Sequence, residues 1–217
     1  MLRKSIHNIQ NLKSKRPITC LTAYSSPIAK IIDEYVDIIL VGDSVGNTIY
    51  GMHNTRSVKL SMMINHGMAV VESSKKAFTI IDMPYNTYKN KDEALKNAKK
   101  LIKKTKCQSV KIETDISKIS IVSYLVKNNI TVISHIGILP QKYKNFKNIK
   151  RVGKDQSEMK KIFDLAVKLE KAGSSMIILE CLESELAKKI TKKLKIPTIG
   201  IGSSIFCDGQ VLVIDDI

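Results

Sequence analysis

Short apolar runs rich in β-branched residues alternate with stretches of helical spacing along this chain, and that alternation restricts it to a parallel α/β architecture. Strand patterns fall at 17–22, 37–43, 76–82, 109–113, 130–135, 175–180, 196–202 and 210–215. Helical spacing covers 26–35, 60–74, 91–104, 117–128, 156–172 and 183–194, and residues 1–16 read as a basic helix or arm. Eight strands alternating with helices, each crossover long enough for parallel pairing, predict a (βα)8 TIM-type barrel forming a single domain over 1–217. A doubly wound open sheet is the alternative, but strand one runs into TAYSS where that fold carries GxGxxG. The sequence stops at Ile217, directly after strand eight, so the barrel is expected to lack its last covering helix. An uncovered strand leaves large side chains wet at roughly 1.5–3 kcal/mol each. A partner subunit or the N-terminal helix is expected to cover it, unless the chain is a shortened version of a longer enzyme.

Five of the runs end on a polar residue capable of acid–base or metal chemistry. DIILVGD ends on Asp43, AFTIID on Asp82, QSVKIE on Glu113, TVISH on His135 and SSMIILE on Glu180. In a parallel barrel the strand ends and the loops after them gather at one mouth, where active sites lie. One such ending means little, since every strand must stop at something polar. Five in register point to a site.

Composition narrows the classes. No apolar stretch approaches the ~18 residues of a membrane span, and MLRKSIHNIQNLKSKRP lacks the apolar core of a secretory signal. Cys20, Cys107, Cys181 and Cys207 show no CxxC pair or zinc spacing, and Cys20 and Cys181 read as small buried fillers. A reducing cytoplasm is the expected setting. The formal charge of +16 suits a nucleic-acid binder. However, the lysines spread over helix faces (Lys96, Lys99, Lys100, Lys103 and Lys104; Lys188, Lys189, Lys192 and Lys193), without Trp or an RNA-binding motif. Solvated faces, not nucleic acid, are the expected explanation.

Asp43 lies in VGDSVGNT, where Gly42 and Gly46 are expected to let the backbone turn tightly and Ser44 adds a hydroxyl beside the carboxylate. A loop cap is the plain alternative for Asp43. Asp82 on the next strand and Glu113 on the one after could share a hard cation with it, Mg²⁺ being the fitting choice. Lys111 lies two residues before Glu113, so both point to one face of strand four. A buried ammonium there needs an anion, either an Asp partner or a substrate oxygen. His135 is a candidate donor to a substrate carbonyl or carboxylate, whereas His66 reads as structural. Glu180, apart in sequence from the metal candidates, suits a general base.

GDSVG, IDMPY, VKIE, HIGILPQ, ILEC, IGIG and CDGQVLV occur in an order and spacing that resembles ketopantoate hydroxymethyltransferases, from about Thr19 to Val213. TAYSSPIAKIIDE and GMHNTRSVKLSMMINH resemble that family's first βα unit and third-helix approach. The resemblance implies a barrel of the phosphoenolpyruvate/pyruvate-like type and a cytoplasmic enzyme of pantothenate biosynthesis. It would move a one-carbon unit from 5,10-methylenetetrahydrofolate onto 3-methyl-2-oxobutanoate. It further implies Asp43, Asp82 and Glu113 as the Mg²⁺ site and Glu180 as proton acceptor. Asp43, Ser44, Asp82, Lys111 and His135 would hold the oxo acid, and the chain would form a homo-oligomer, a decamer built from dimers. Small molecules would be its partners, with no nucleic acid or membrane. Departures from the pattern are Ser25 for Asp in TAYD, Thr114-Asp115 for the two glycines of EGG, Ser203-Ser204 in GIGAG, Asp215-Asp216 for HD, and the missing C-terminal helical segment. They bear on efficiency, stability and the folate pocket. The competing readings are another Mg²⁺-dependent 2-oxo acid lyase or mutase on the same barrel, a degenerate and weakly active copy, or a basic nucleic-acid-binding protein.

Overall fold

A computed structural model describes residues 3–144 and 150–217. Eight strands run parallel and close in sequence order: β1 (Ile18–Thr22), β2 (Ile38–Val41), β3 (Phe78–Asp82), β4 (Ser109–Glu113), β5 (Val132–Gly137), β6 (Met176–Glu180), β7 (Thr198–Ile201) and β8 (Gly209–Leu212). β8 pairs with β1 to complete the barrel. Around it lie α1 (Ile6–Gln10), α2 (Ser26–Ile32), α3 (Val45–Thr48), α4 (Leu60–Ser73), α5 (Lys91–Thr105), α6 (Ile119–Lys127), α7 (Gln156–Lys171) and α8 (Ser184–Lys193).

Local chemistry sets the helix limits. Asn90 caps α5 by accepting from the Glu93 N–H, and Asp155 caps α7 by accepting from the Glu158 N–H. α5 buries Ala94, Ala98, Leu101 and Thr105 and turns its lysines to solvent. This is the solvated-face arrangement the Lys spacing predicts.

The two-residue period of each strand sorts its side chains. Val110, Val132, Ile177 and Leu179 face out under the helices, in one apolar cluster. Ile18, Cys20, Ile38, Leu40, Phe78, Ile80, Ile133, Met176, Ile178, Ile199 and Val211 face in and fill the barrel. On four strands the inward column changes from apolar or small to ionisable as it rises: Phe78–Ile80–Asp82, Ser109–Lys111–Glu113, Ile133–His135 and Met176–Ile178–Glu180. The packed lower layers hold the upper groups in place.

Several expectations need correction. α1 does not cover β8. Its Ile9, fully buried, packs with Ile6 and Leu12 onto the inward cluster and closes the N-terminal mouth of the barrel. The outer face of β8 is exposed at Gln210 and Leu212, the latter by 55%. The β7–β8 crossover carries no helix. Residues 202–208 suffice because β7 and β8 are four residues each and extended chain spans about 3.3 Å per residue. Gly209 makes this tight closure possible, since a Cβ there would lie 2.3 Å from the Ile18 carbonyl oxygen. The stretch between Asp43 and α4, which shows no helical spacing in the sequence, contains α3 and a 3-10 turn at Thr55–Ser57. Cys181 is half-buried at φ 51°, not a buried filler as Cys20 is. The Lys-rich loop before Gly153 and the basic N-terminal arm extend in part outside the described residues.

Candidate active site

The residues singled out in the sequence come together at the C-terminal mouth. Asp43, Ser44, Asp82, Lys111, Glu113, His135 and Glu180 all line one cavity of about 260 Å³. Strand register explains much of this. Asp82 pairs with Lys111 across β3 and β4, and Glu113 with His135 across β4 and β5. Gly137 pairs with Glu180 across β5 and β6 at φ 103°, where a Cβ would lie 2.1 Å from the Glu180 carbonyl oxygen. A side chain at 137 would displace the backbone that carries Glu180.

A chain of contacts crosses the cavity. The Asp43 N–H donates to Asp82 Oδ2 at 3.0 Å. Lys111 Nζ lies 3.0 Å from Asp82 Oδ1, an ion-pair distance but off hydrogen-bond geometry, which leaves that buried oxygen without a hydrogen-bond partner. On its other side Lys111 Nζ is 3.4 Å from His135 Nδ1. His135 Nε2 is 3.1 Å from Glu180 Oε2, again short of hydrogen-bond geometry. An ammonium facing Nδ1 requires that atom to accept, so the imidazole proton sits on Nε2 and faces Glu180.

Charge in this cavity is out of balance. Burial and the neighbouring Asp82 raise the Asp43 pKa to about 7. Burial and Asp43 likewise push Glu113 well above the usual carboxylate range. Burial works against a charged Lys111, but Asp82, Asp43 and Glu113 outweigh it and raise its pKa, so it remains an ammonium. Burial and Lys111 lower the His135 pKa against the pull of Glu180, which favours the neutral ring. Three carboxyl groups thus share one ammonium, an arrangement that a bound cation would relieve. Among the described residues no group of three or more His, Cys, Asp or Glu side chains converges tightly enough to hold an ion alone. Asp43 and Asp82, the latter with its orphaned Oδ1, fit the one or two carboxylates that Mg²⁺ takes while keeping water or substrate oxygens.

Sequence reasoning missed Gln141 and Tyr88. Gln141 follows Pro140 in a 3-10 turn after β5, and its Nε2 donates to Asp43 Oδ2 at 2.7 Å. No periodicity marks it; a polar residue in the loop after an active-site strand was the available signal. Tyr24 was passed over as well, and its hydroxyl holds Ser44 Oγ at 2.6 Å. His66 is structural, bridging the Tyr24 carbonyl and the Tyr50 hydroxyl. Gly42 and Gly46 do not adopt positive φ; they matter for room, since a Cβ would meet Ser44 Oγ at 2.7 Å or Val58 Cγ2 at 2.6 Å. The departures after Glu113 are accommodated locally. Thr114 Oγ1 donates to the His135 carbonyl, and Asp115 accepts from Ser117 and pairs with Lys142 at 2.6 Å.

The sequence model described as Ketopantoate hydroxymethyltransferase matches residues 3–217. The chain belongs to the ketopantoate hydroxymethyltransferase family. A relative from Pelagibacter ubique, named 3-methyl-2-oxobutanoate hydroxymethyltransferase, is 50% identical over all of this chain and 83% of its own length. Ketopantoate hydroxymethyltransferase relatives of the same name from Bartonella tribocorum and Anaplasma marginale are 46% and 44% identical, over 96% and 98% of this chain and 77% and 76% of theirs. Among solved structures, a phosphoenolpyruvate phosphomutase from Streptomyces platensis superposes with a TM-score of 0.72 at 8% identity, over 97% of this chain and 81% of that one. A 2,3-dimethylmalate lyase does so at 0.71 and 12%, over 99% and 80%. At such identity these two show the barrel fold alone.

Proposed function

We propose that this chain transfers a hydroxymethyl group from 5,10-methylenetetrahydrofolate to 3-methyl-2-oxobutanoate, giving 2-dehydropantoate, with Mg²⁺ as cofactor. The observation that carries the reading is the run Asp43–Asp82–Lys111–His135–Glu180, which sets two carboxyl groups and an ammonium on one side of a cavity and a further carboxyl group on the other. Relatives at 44–50% identity bear the name of this activity.

In this reading Asp43 and Asp82 hold the ion, with Glu113 beside them. A bound Mg²⁺ would supply Lewis-acid polarisation of the 2-oxo group, making the neighbouring C–H acidic. Lys111 and Ser44 hold the substrate's carboxylate end, the ammonium offsetting its charge. Glu180, with Oε2 3.1 Å from His135 Nε2, takes the proton from C3. The electron pair released from that C–H bond forms the new C–C bond to the methylene carbon of the folate. Over the whole transfer both bonds from that carbon to the two folate nitrogens break, water supplies the hydroxyl oxygen, and the C3 proton and one proton of the water end on those nitrogens. The same reading expects a homo-oligomer in the cytoplasm. No helix among the described residues is long and apolar enough to cross a membrane.

The test has two arms. With Mg²⁺ and no donor, NMR in D₂O should show deuterium entering C3 of 3-methyl-2-oxobutanoate; adding the methylene-folate should yield 2-dehydropantoate. An active protein that exchanges C3–H but uses no folate overturns the donor assignment. Absence of both reactions overturns the whole reading.

A further inference from the structure

We infer that Gln141 is a positioning residue that presents Asp43 and Glu113 to the ion, and that Tyr88 helps fix which end of its amide faces Asp43. The inference rests on the Mg²⁺ reading above. Gln141 is only 4% exposed, and every polar atom of its side chain is engaged. Nε2 donates to Asp43 Oδ2 at 2.7 Å and to the Met83 carbonyl at 3.1 Å, while Oε1 accepts from the Tyr88 hydroxyl. Its backbone N–H donates to both Glu113 oxygens, at 3.0 and 3.2 Å. One residue therefore grips two of the three carboxyl groups, on the loop after β2 and the end of β4.

Tyr88 sets the amide direction together with the Met83 carbonyl, which can only accept. The Glu113 backbone N–H donates to Tyr88 Oη at 3.3 Å, so the hydroxyl proton is left to point at Gln141 Oε1. A flipped amide would set a carbonyl oxygen against the Asp43 carboxylate and an NH₂ against the hydroxyl proton, both repulsive. Held as it is, the amide satisfies Asp43 Oδ2 and leaves Oδ1 with no protein hydrogen bond among the described residues. A hydrogen bond to one ligand oxygen leaves the other available and lowers the cost of gathering like charges in a buried site.

Isothermal titration of Mg²⁺ into the folded protein, with melting followed in parallel, tests this. Gln141→Met keeps the volume and removes the donors; it should weaken Mg²⁺ about 10- to 100-fold, the usual size of an outer-shell loss. Tyr88→Phe removes the donor to Oε1 and leaves the Met83 carbonyl as the remaining neutral group that holds the amide direction, so it should cause a smaller loss in the same direction. A purely structural role would lower the melting temperature and leave the affinity of folded protein unchanged, and that outcome overturns the inference. If Gln141→Met does not fold, Tyr88→Phe decides alone, wild-type affinity counting against the inference. Wild-type protein that takes up no Mg²⁺ defeats the metal reading itself, a result distinct from variants that bind as well as wild type.

Discussion

Asp37 and Asp43 flank the two ends of β2, are both buried, and are treated in opposite ways by the fold. At the closed N-terminal mouth Asp37 accepts from Lys4 at 2.8 Å, from two Arg16 nitrogens at 2.7 Å, and from Thr19. Burial alone would raise its pKa, but Arg16, Lys4 and Thr19 outweigh that and hold it well below the usual carboxylate range. At the open mouth, six residues on, burial and the neighbouring Asp82 raise the Asp43 pKa to about 7 although the Gln141 amide donates to it. One end of the barrel completes its charge pairs and so contributes to folding. The other leaves carboxylates uncompensated, which costs stability and creates demand for a cation.

The sharpest way to break this contrast is to remove charge at the open mouth. Asp43→Asn should lower turnover by about 10³-fold, equivalent to about 4 kcal/mol of lost transition-state stabilisation, while the ion-free protein melts no lower than wild type. A variant that loses stability and keeps activity would mean Asp43 behaves as Asp37 does. Glu180→Gln should lower kcat by about 10²- to 10⁴-fold with KM within a few-fold, the pattern of a lost general base. Wild-type kcat in that variant would remove Glu180 from its role.

The barrel was legible because its two signals are periodic. Inward and outward residues alternate along β3, β4 and β6, and Lys111 with Glu113 shows the same-face spacing directly in VKIE. The acids and His135 could be found because they terminate apolar runs. Gln141 and Tyr88 could not, because they sit on loops whose geometry is set by tertiary contacts and not by local spacing. The role of α1 was also hidden. Its Ile6 and Ile9, with Leu12 just past its end, say that something is covered, but only the closed sheet reveals that it is the barrel's lower mouth. The link between β7 and β8, where no helical spacing occurs, was long enough for the parallel pairing expected of it.

The closed mouth gives a second, smaller test. Ile9 is fully buried against the inward cluster, so Ile9→Ala should destabilise the protein by about 3 kcal/mol in urea unfolding, within the range for large-to-small core changes. The kcat of the folded variant should stay at the wild-type value, since the packed layers of the barrel separate the plug from the site. A drop in kcat without loss of stability would couple the two mouths and weaken the division drawn here.

Asp37→Asn refines the comparison by pH. Lys4 and Arg16 are partly exposed and can regain water, so the loss at neutral pH should be about 2 kcal/mol, below the range for fully buried pairs. The folded pKa of Asp37 is depressed, so its charge-dependent contribution is complete above the unfolded value near ~4 and fades as pH falls toward the lower folded value. Urea midpoints of wild type and variant should therefore differ most at pH 6–7, begin to narrow below ~4, and converge only as pH nears the depressed folded value. A gap that stays constant across this range would assign the loss to packing or to neutral hydrogen bonds, and Asp37 would no longer serve as the charge-paired counterpart of Asp43.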